Sequence, residues 1–393
     1  MARASLLTRA LAAVVLTFAC CSAFAAPLSK ASPAAMPPNA LSGASLPPAT
    51  LLVTLHGGGA VRLRLTGGSL TNGSAPIVAT LLPALDLTPS SLASQPRSMA
   101  LLPSSGLVLL ASADGTDPNT GTARGVVSTF DADAACAAGD GGGDVADARK
   151  ANKKKRVKAS GSAAALHVTA TLVSPSAAHL DHPYGVAASP DGTVFVSNQG
   201  TGWISAFKLG GADHAPATLV AARFARHGQG KAGKGGATAP VRGIAYAPAA
   251  ANTAPGGGGS PSDGALLFVA SKDDAAVFAH SPSTGEQLFS IPMREPIGVV
   301  WDEAGASLFV GSARSKRVTA SRFARDGKLL QSYEHDDGGS GGHAAGLAVY
   351  GGALIVLGQA AGGVHQFDVA SGAYVATIFN NLDRPEGALL LSC

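Results

Sequence analysis

An all-β, six-bladed β-propeller is the fold this sequence predicts, on three observations. One strand-turn-strand pattern, clearest over residues 180–211 (LDHPYGVAASPDGTVFVSNQGTGWISAFKLGG), is written again several times along the chain. The composition suits turn-rich sheets rather than helices or disorder, with 50 Gly, 24 Pro, 46% hydrophobic residues and only 14% charged. The two ends complement each other: residues 384–393 (RPEGALLLSC) read as a first strand with nothing after it, and residues 51–82 as strands two to four with nothing before them. Joined, they make one more blade and leave no free sheet edge between first and last blades.

Each element of the repeat has a local reason. Pro183 sets an extended start, and Gly185 lets the backbone pass close to a crowded axis before the apolar run Val186–Ala188. Ser189-Pro190-Asp191-Gly192 is a tight turn, followed by a β-branched and aromatic strand over Val194, Phe195 and Val196. Polar residues 198–202 turn the chain again, and Trp203, Ser205 and Phe207 alternate as in a half-buried third strand. The order recurs from Pro240, Pro296 and His343, with a weaker copy from Pro96 whose third strand lies at Gly125–Phe130. Such units cannot bury their own faces singly, so they must stack.

Outside the repeats, residues 1–25 read as a secretory signal: Arg3 and Arg9, an apolar run over 11–19, and Ala23-Phe24-Ala25 as a cleavage site. Residues 26–48, rich in Pro, Ser and Ala, read as a flexible leader, and 49–393 as the propeller. The expected location is therefore outside the cell or in the lumen of the secretory pathway, with no membrane span. Cys20 and Cys21 leave with the signal, so Cys136 and Cys393 remain, either as free thiols or as one disulfide. Both should lie on the bottom face of neighbouring blades, which favours a bridge that staples the closing strand. Asn72-Gly73-Ser74 is a glycosylation acceptor on a turn of the first blade.

Residues 134–162 interrupt the second blade as a disordered basic insertion whose cluster, Arg149–Lys158, holds seven basic residues and no acid. The whole chain carries +4; without Arg3 and Arg9 it carries +2, and without the seven cluster charges −5. Basicity thus belongs to one loop, and no nucleic acid is expected as a partner. Further insertions are read at 221–239, carrying Arg223, Arg226, His227, Lys231 and Lys234, and at 251–264.

In a propeller the first strands line the axis and the loops leading into them form a top rim, where several blades can build one pocket. The position before the inner-strand glycine, or its equivalent, holds, blade by blade, Glu386, Arg97, Tyr184, Arg242, Ile297 and Ala345. Two positions earlier stand Arg384, Gln95, His182, Glu295 and His343, with blade four out of register. Loops after the second strands add Asp114, Asn198, Gln199, Lys272, Asp273, Arg314 and Gln359. Arginines offer paired hydrogen bonds to carboxylate or phosphate, and Tyr184 a flat wall, so a small anionic or sugar-like ligand is one reading. A protein partner on the same face is another, and a Glu386–Arg97 pair that only satisfies the channel mouth is a third. The ligand set is Arg97, His182, Tyr184, Asn198, Arg242, Glu295, His343 and Glu386. Glu386, Asn198 and Asp273 could hold one divalent cation, and no other cofactor is expected. His56, His167, His179, His214, His227, His280, His335 and His365 are scattered and read as surface or strand residues. No nucleophile elbow or phosphate loop is expected.

The stretch HPYGVAASPDGTVFVSN and its copies at Pro296 and His343 resemble the NHL and YVTN-type repeat propellers. Similar folds include gluconolactonase and regucalcin-like hydrolases, which hold a divalent ion with carboxylate and amide ligands, and peptidyl-hydroxyglycine lyases, which hold zinc with histidines. The resemblance implies Glu386 as the carboxylate and Asn198 as the amide of a lactonase-like or esterase-like hydrolase. The alternative is a binding scaffold without chemistry.

Overall fold

The computed structural model describes residues 46–68, 75–86, 95–102, 105–116, 123–137, 164–165, 170–173, 179–210, 216–226, 240–250, 264–313, 317–336 and 342–393. The predicted signal peptide, most of the leader, Asn72, Arg314 and the Arg149–Lys158 cluster lie outside them.

Six antiparallel sheets form the body. From the axis outward, blade 3 is Pro183–Ala188, Thr193–Asn198, Trp203–Lys208 and Thr218–Arg226. Blade 4 is Val241–Ala247, Leu266–Ser271, Ala276–His280 and Gln287–Pro292; blade 5 is Pro296–Asp302, Ser307–Ser312, Arg317–Ala324 and Leu329–Asp336. Blade 6 is Ala344–Tyr350, Ala353–Gly358, Gly363–Asp368 and Tyr374–Phe379, and blade 2 is Pro96–Leu102, Leu107–Thr116, Ala123–Asp131 and Ala170–Val173. Blade 1 takes its inner strand, Pro385–Ser392, from the C-terminal residues and sets it against Ala49–Leu55, Ala60–Gly67 and Ile77–Asp86, with Ala164–Ala165 added in parallel at the edge. Ala49 pairs with Ser392 and Val53 with Ala388, so the complementary ends close the ring as expected. Residues 221–226, expected to begin an insertion, belong instead to the outer strand of blade 3, Thr218–Arg226, with the Arg223 guanidinium over the Trp203 ring. Alternation in TLVAARFAR is weak, which hid the strand.

The core lies between blades. Each neighbouring pair encloses one apolar cluster, from Leu109, Val127, Val186 and Phe207 between blades 2 and 3 to Ile355, Leu357, Leu51 and Leu63 between blades 6 and 1. Leu46, at the end of the leader, is buried in the latter. Phe309, Tyr333 and Phe367 fill the space between blades 5 and 6, each fully buried aromatic contributing about 1.5–3 kcal/mol by removal from water.

The expected axis glycines have a measurable role. A Cβ on Gly185 would stand 2.7 Å from the Arg242 carbonyl, on Gly243 2.4 Å from that of Ile297, on Gly298 2.2 Å from that of Ala345, and on Gly387 2.4 Å from that of Arg97. At these four places one inner strand abuts the backbone of the next, and only glycine permits that approach.

Cys136 and Cys393 form a disulfide between blades 2 and 1. Cys136 sits on a short helix, Ala132–Ala137, where the sequence suggested only loose insertion. Asp131 Oδ1 accepts the Asp133 and Ala134 amides at its start, and the fully buried Arg62 donates from Nη1 to the Ala135 carbonyl at 2.7 Å. These contacts hold the thiol in place for its partner. Among the described residues no helix is long and apolar enough to cross a membrane.

Candidate functional site

Every inner strand carries a bulge at one height. In blade 3 Val186 pairs with Val196 and Pro183 with Asn198, leaving Tyr184 and Gly185 opposite the single Ser197. The same two-against-one offset falls at Arg242–Gly243, Ile297–Gly298, Ala345–Gly346 and Glu386–Gly387, and at Arg97 in blade 2. Bulges re-aim side chains. Here they bring to one level the six positions that the repeat alignment singled out. Thr54 and Ser197 fill two of the bulges: Thr54 Oγ1 accepts the Gly387 amide and donates to the Arg97 carbonyl, both at 2.8 Å, while Ser197 Oγ accepts the Gly185 amide at 2.8 Å and donates to the Arg242 carbonyl at 2.5 Å. Their hydroxyls tie neighbouring inner strands together.

A second tier follows from the backbone. In four blades the residue after the second strand donates its amide to the carbonyl two positions before the bulge: His56 to Arg384, Gln199 to His182, Ala313 to Glu295 and Gln359 to His343, at 2.8 to 3.0 Å. This places His56, Gln199 and Gln359 in equivalent rim positions. His182, Glu295 and Arg384, each just before a proline, adopt left-handed backbone with φ of 52°, 49° and 49°. For residues with a Cβ that conformation is costly, and here it clusters at the rim.

The two tiers enclose a cavity of about 270 Å³, lined by His56, Arg97, His182, Gln199, Arg242, Lys272, Ile297, His343, Gln359 and Glu386. At its centre the Glu386 carboxylate, 3% exposed, accepts four donors. Oε1 takes Arg97 Nη1 at 2.7 Å, His56 Nδ1 at 2.7 Å and Gln359 Nε2 at 2.5 Å; Oε2 takes the Tyr184 hydroxyl at 3.0 Å. Arg97 Nη1 also touches His56 Nδ1, both nitrogens converging on one oxygen. Gln359 Oε1 in turn meets His343 Nδ1 at 3.2 Å. The Tyr184 ring lies between two guanidinium groups, Arg97 at 6.0 Å and Arg242 at 5.3 Å. Burial, and then the Glu386 charge, push the Tyr184 hydroxyl well above its usual range. Burial, and then the Arg97 charge, lower the His182 imidazole, with Asp114 and Asp181 acting the other way.

Of the predicted ligand residues, Arg97, His182, Arg242, His343 and Glu386 meet in this cavity. Tyr184 stands behind it, clustered with Ile297, Ala313 and Ala345, so it is a supporting group rather than a wall. Asn198 does not reach it: Oδ1 accepts the Asp181 amide at 3.0 Å and Nδ2 donates to Ser205 Oγ at 3.0 Å, which fixes the turn. Neither Glu295 nor the exposed Asp273 lines it. His56 was missed; counting blade 1 from Leu51 puts it in register with Gln199 and Gln359, a signal present in the sequence.

A divalent cation does not suit these donors. Among the described residues Glu386 is the single carboxylate of the lining, its oxygens are taken by four donors, a guanidinium sits 2.7 Å away, and the amide expected to assist it is committed elsewhere. Among the described residues no three His, Cys, Asp or Glu side chains gather as a metal cluster would. By contrast Arg242 and Lys272 face the cavity with no carboxylate partner among the described residues, and Arg242 Nε is buried without an acceptor. Arg97, Arg242 and Lys272 against Glu386 leave two positive charges in excess.

No family model and no curated protein matches the chain. Solved structures do. One is that of a nidogen/laminin complex, at 14% identity over 88% of this chain and 99% of that one, with a TM-score of 0.50. Another is a putative 6-phosphogluconolactonase from Bacteroides fragilis, at 12% identity over 88% and 98%, with a TM-score of 0.51. Likeness at this level supports the propeller fold alone.

Proposed function

We propose that the protein binds a small anionic ligand, a carboxylate, phosphate or sugar acid, in the cavity at the mouth of the propeller channel. The observation that carries this reading is the pairing of two cations, Arg242 and Lys272, that no carboxylate among the described residues neutralises, in a cavity whose other charged pair is already internally satisfied. Arg242 is held over the Tyr184 ring, so its fork is oriented before a ligand arrives. Gln199, Gln359, His182 and His343 supply further polar groups to the lining. Isothermal titration with sulfate, phosphate, glutarate and gluconate tests the reading. At least one should bind, and Arg242→Ala should weaken it about ten-fold or more. Absence of binding by every anion, or an Arg242→Ala variant with unchanged affinity, would refute it.

A further inference from the structure

We infer that the ligand of this cavity is a small phosphate monoester, whose head group carries both negative charges at one end and is held against blade 4. The inference rests on the anion-binding reading of the same cavity and names the class of anion. Both spare cations come from one blade. Val241 and Ser271 are cross-strand partners there, and Arg242 and Lys272 are the residues that follow them, so the inner strand and the turn after the second strand deliver two positive charges to one wall. The acids beside Lys272 do not answer them: Asp273 is exposed, Asp274 Oδ2 accepts the Ser271 hydroxyl at 2.7 Å, and neither lines the cavity. Two like charges on one wall repel, and a singly charged group would leave one of them unmatched. Arg242 also keeps a donor in reserve. Its Nε is buried with no acceptor among the described residues, on a guanidinium already posed 5.3 Å over the Tyr184 ring.

The opposite wall decides where the ligand's charges lie. Blades 1, 2 and 6 present Glu386 with His56, Arg97 and Gln359 already bonded to it, and Arg97 Nη2 donates to Gln95 Oε1 at 3.0 Å. The second carboxylate of a long diacid, reaching across the channel, would meet the Glu386 carboxylate and the one guanidinium that Glu386 already neutralises. A tetrahedral phosphoryl group instead presents three oxygens at one point: two match the edge of a guanidinium, and the third is left for an ammonium. At about 270 Å³ the cavity is smaller than the roughly 300–1,000 Å³ usual for drug-sized ligands, so the organic part is short, and Ile297 of blade 5 offers it apolar surface.

The test is titration calorimetry on the intact protein at about pH 8, where methyl phosphate carries two negative charges and methyl sulfate, of nearly the same shape, carries one. Methyl phosphate should bind about ten-fold more tightly than methyl sulfate, and more tightly than glutarate. Lys272→Gln, at a partly exposed turn position, should remove most of that preference between the two esters. Arg242→Lys keeps the charge and loses the fork, and should weaken methyl phosphate about ten-fold. A preference under about three-fold, one that survives Lys272→Gln unchanged, or an Arg242→Lys variant with full affinity for methyl phosphate overturns the inference. Glutarate bound more tightly than methyl phosphate also overturns it while leaving the anion-binding reading intact; failure to bind any anion takes down both.

Discussion

Removing the Cys136–Cys393 bridge should cost the propeller several degrees of thermal stability and leave its native structure in place. The bridge spans 257 residues, and the loop-closure entropy it removes from the unfolded chain corresponds to about 5.5 kcal/mol at 25 °C. Unfolding entropy near 2.1 cal/mol/K per residue, taken over residues 49–393, is about 0.7 kcal/mol/K, so the melting temperature should fall by about 8 °C. The backbone pairing from Ala49–Ser392 to Val53–Ala388 does not depend on sulfur, so the closing strand should stay paired in the folded state. The assay is scanning calorimetry of the Cys136→Ser/Cys393→Ser double variant beside the oxidised protein, with anion binding measured on both. A fall of under 2 °C would refute the entropic account, and lost anion binding at a temperature where the variant is folded would show that the bridge, rather than strand pairing, sets the site.

Three other outcomes follow from the geometry. Gly387→Ala puts a methyl 2.4 Å from the Arg97 carbonyl and should destabilise the protein by about 1–3 kcal/mol in chemical unfolding. His365 is buried and its imidazole is pushed down to about 4, first by burial and then by the His335 charge. Since its folded value lies below the unfolded 6.5, its contribution is complete above pH 6.5 and is lost as pH falls through 4, an acid limb of up to ~3 kcal/mol that His365→Gln should flatten. Glu386→Leu strands the Arg97 guanidinium in a buried site and should destabilise by about 3–5 kcal/mol, read from urea unfolding, whereas Arg242→Ala should leave stability nearly unchanged.

The features written as repeats were legible from the chain itself. Pro183-Tyr184-Gly185 and its copies name the level at which side chains enter the channel, because turn chemistry and the need for glycine at the axis leave local traces. What lay beyond the sequence was the consequence of position at long range. Asn198 follows its strand like a ligand-bearing loop residue, yet a turn amide 17 residues upstream claims its oxygen. His56 stands in a blade whose first strand comes from the far end of the chain, so nothing near it in sequence announces Glu386, 330 residues away. The Glu386–Arg97 pair was foreseen as a way of satisfying the mouth, and it is formed; what the pair could not reveal was how many further donors crowd the same carboxylate.

The inner strand of blade 1 has a bearing on biosynthesis. Residues 385–392 leave the ribosome after every strand they must join, and they bring Glu386 with them. Blades 3 to 6 are each contiguous chain and can pair their strands and stack on one another while translation proceeds, but blade 1 must wait, with an unpaired edge at Ala49–Leu55, for a partner made hundreds of residues later. The cavity's one carboxylate therefore arrives in the same step as ring closure. A nascent or truncated chain holds the cations of the cavity without the group that organises them, so acquisition of the site reports that the whole ring has been completed.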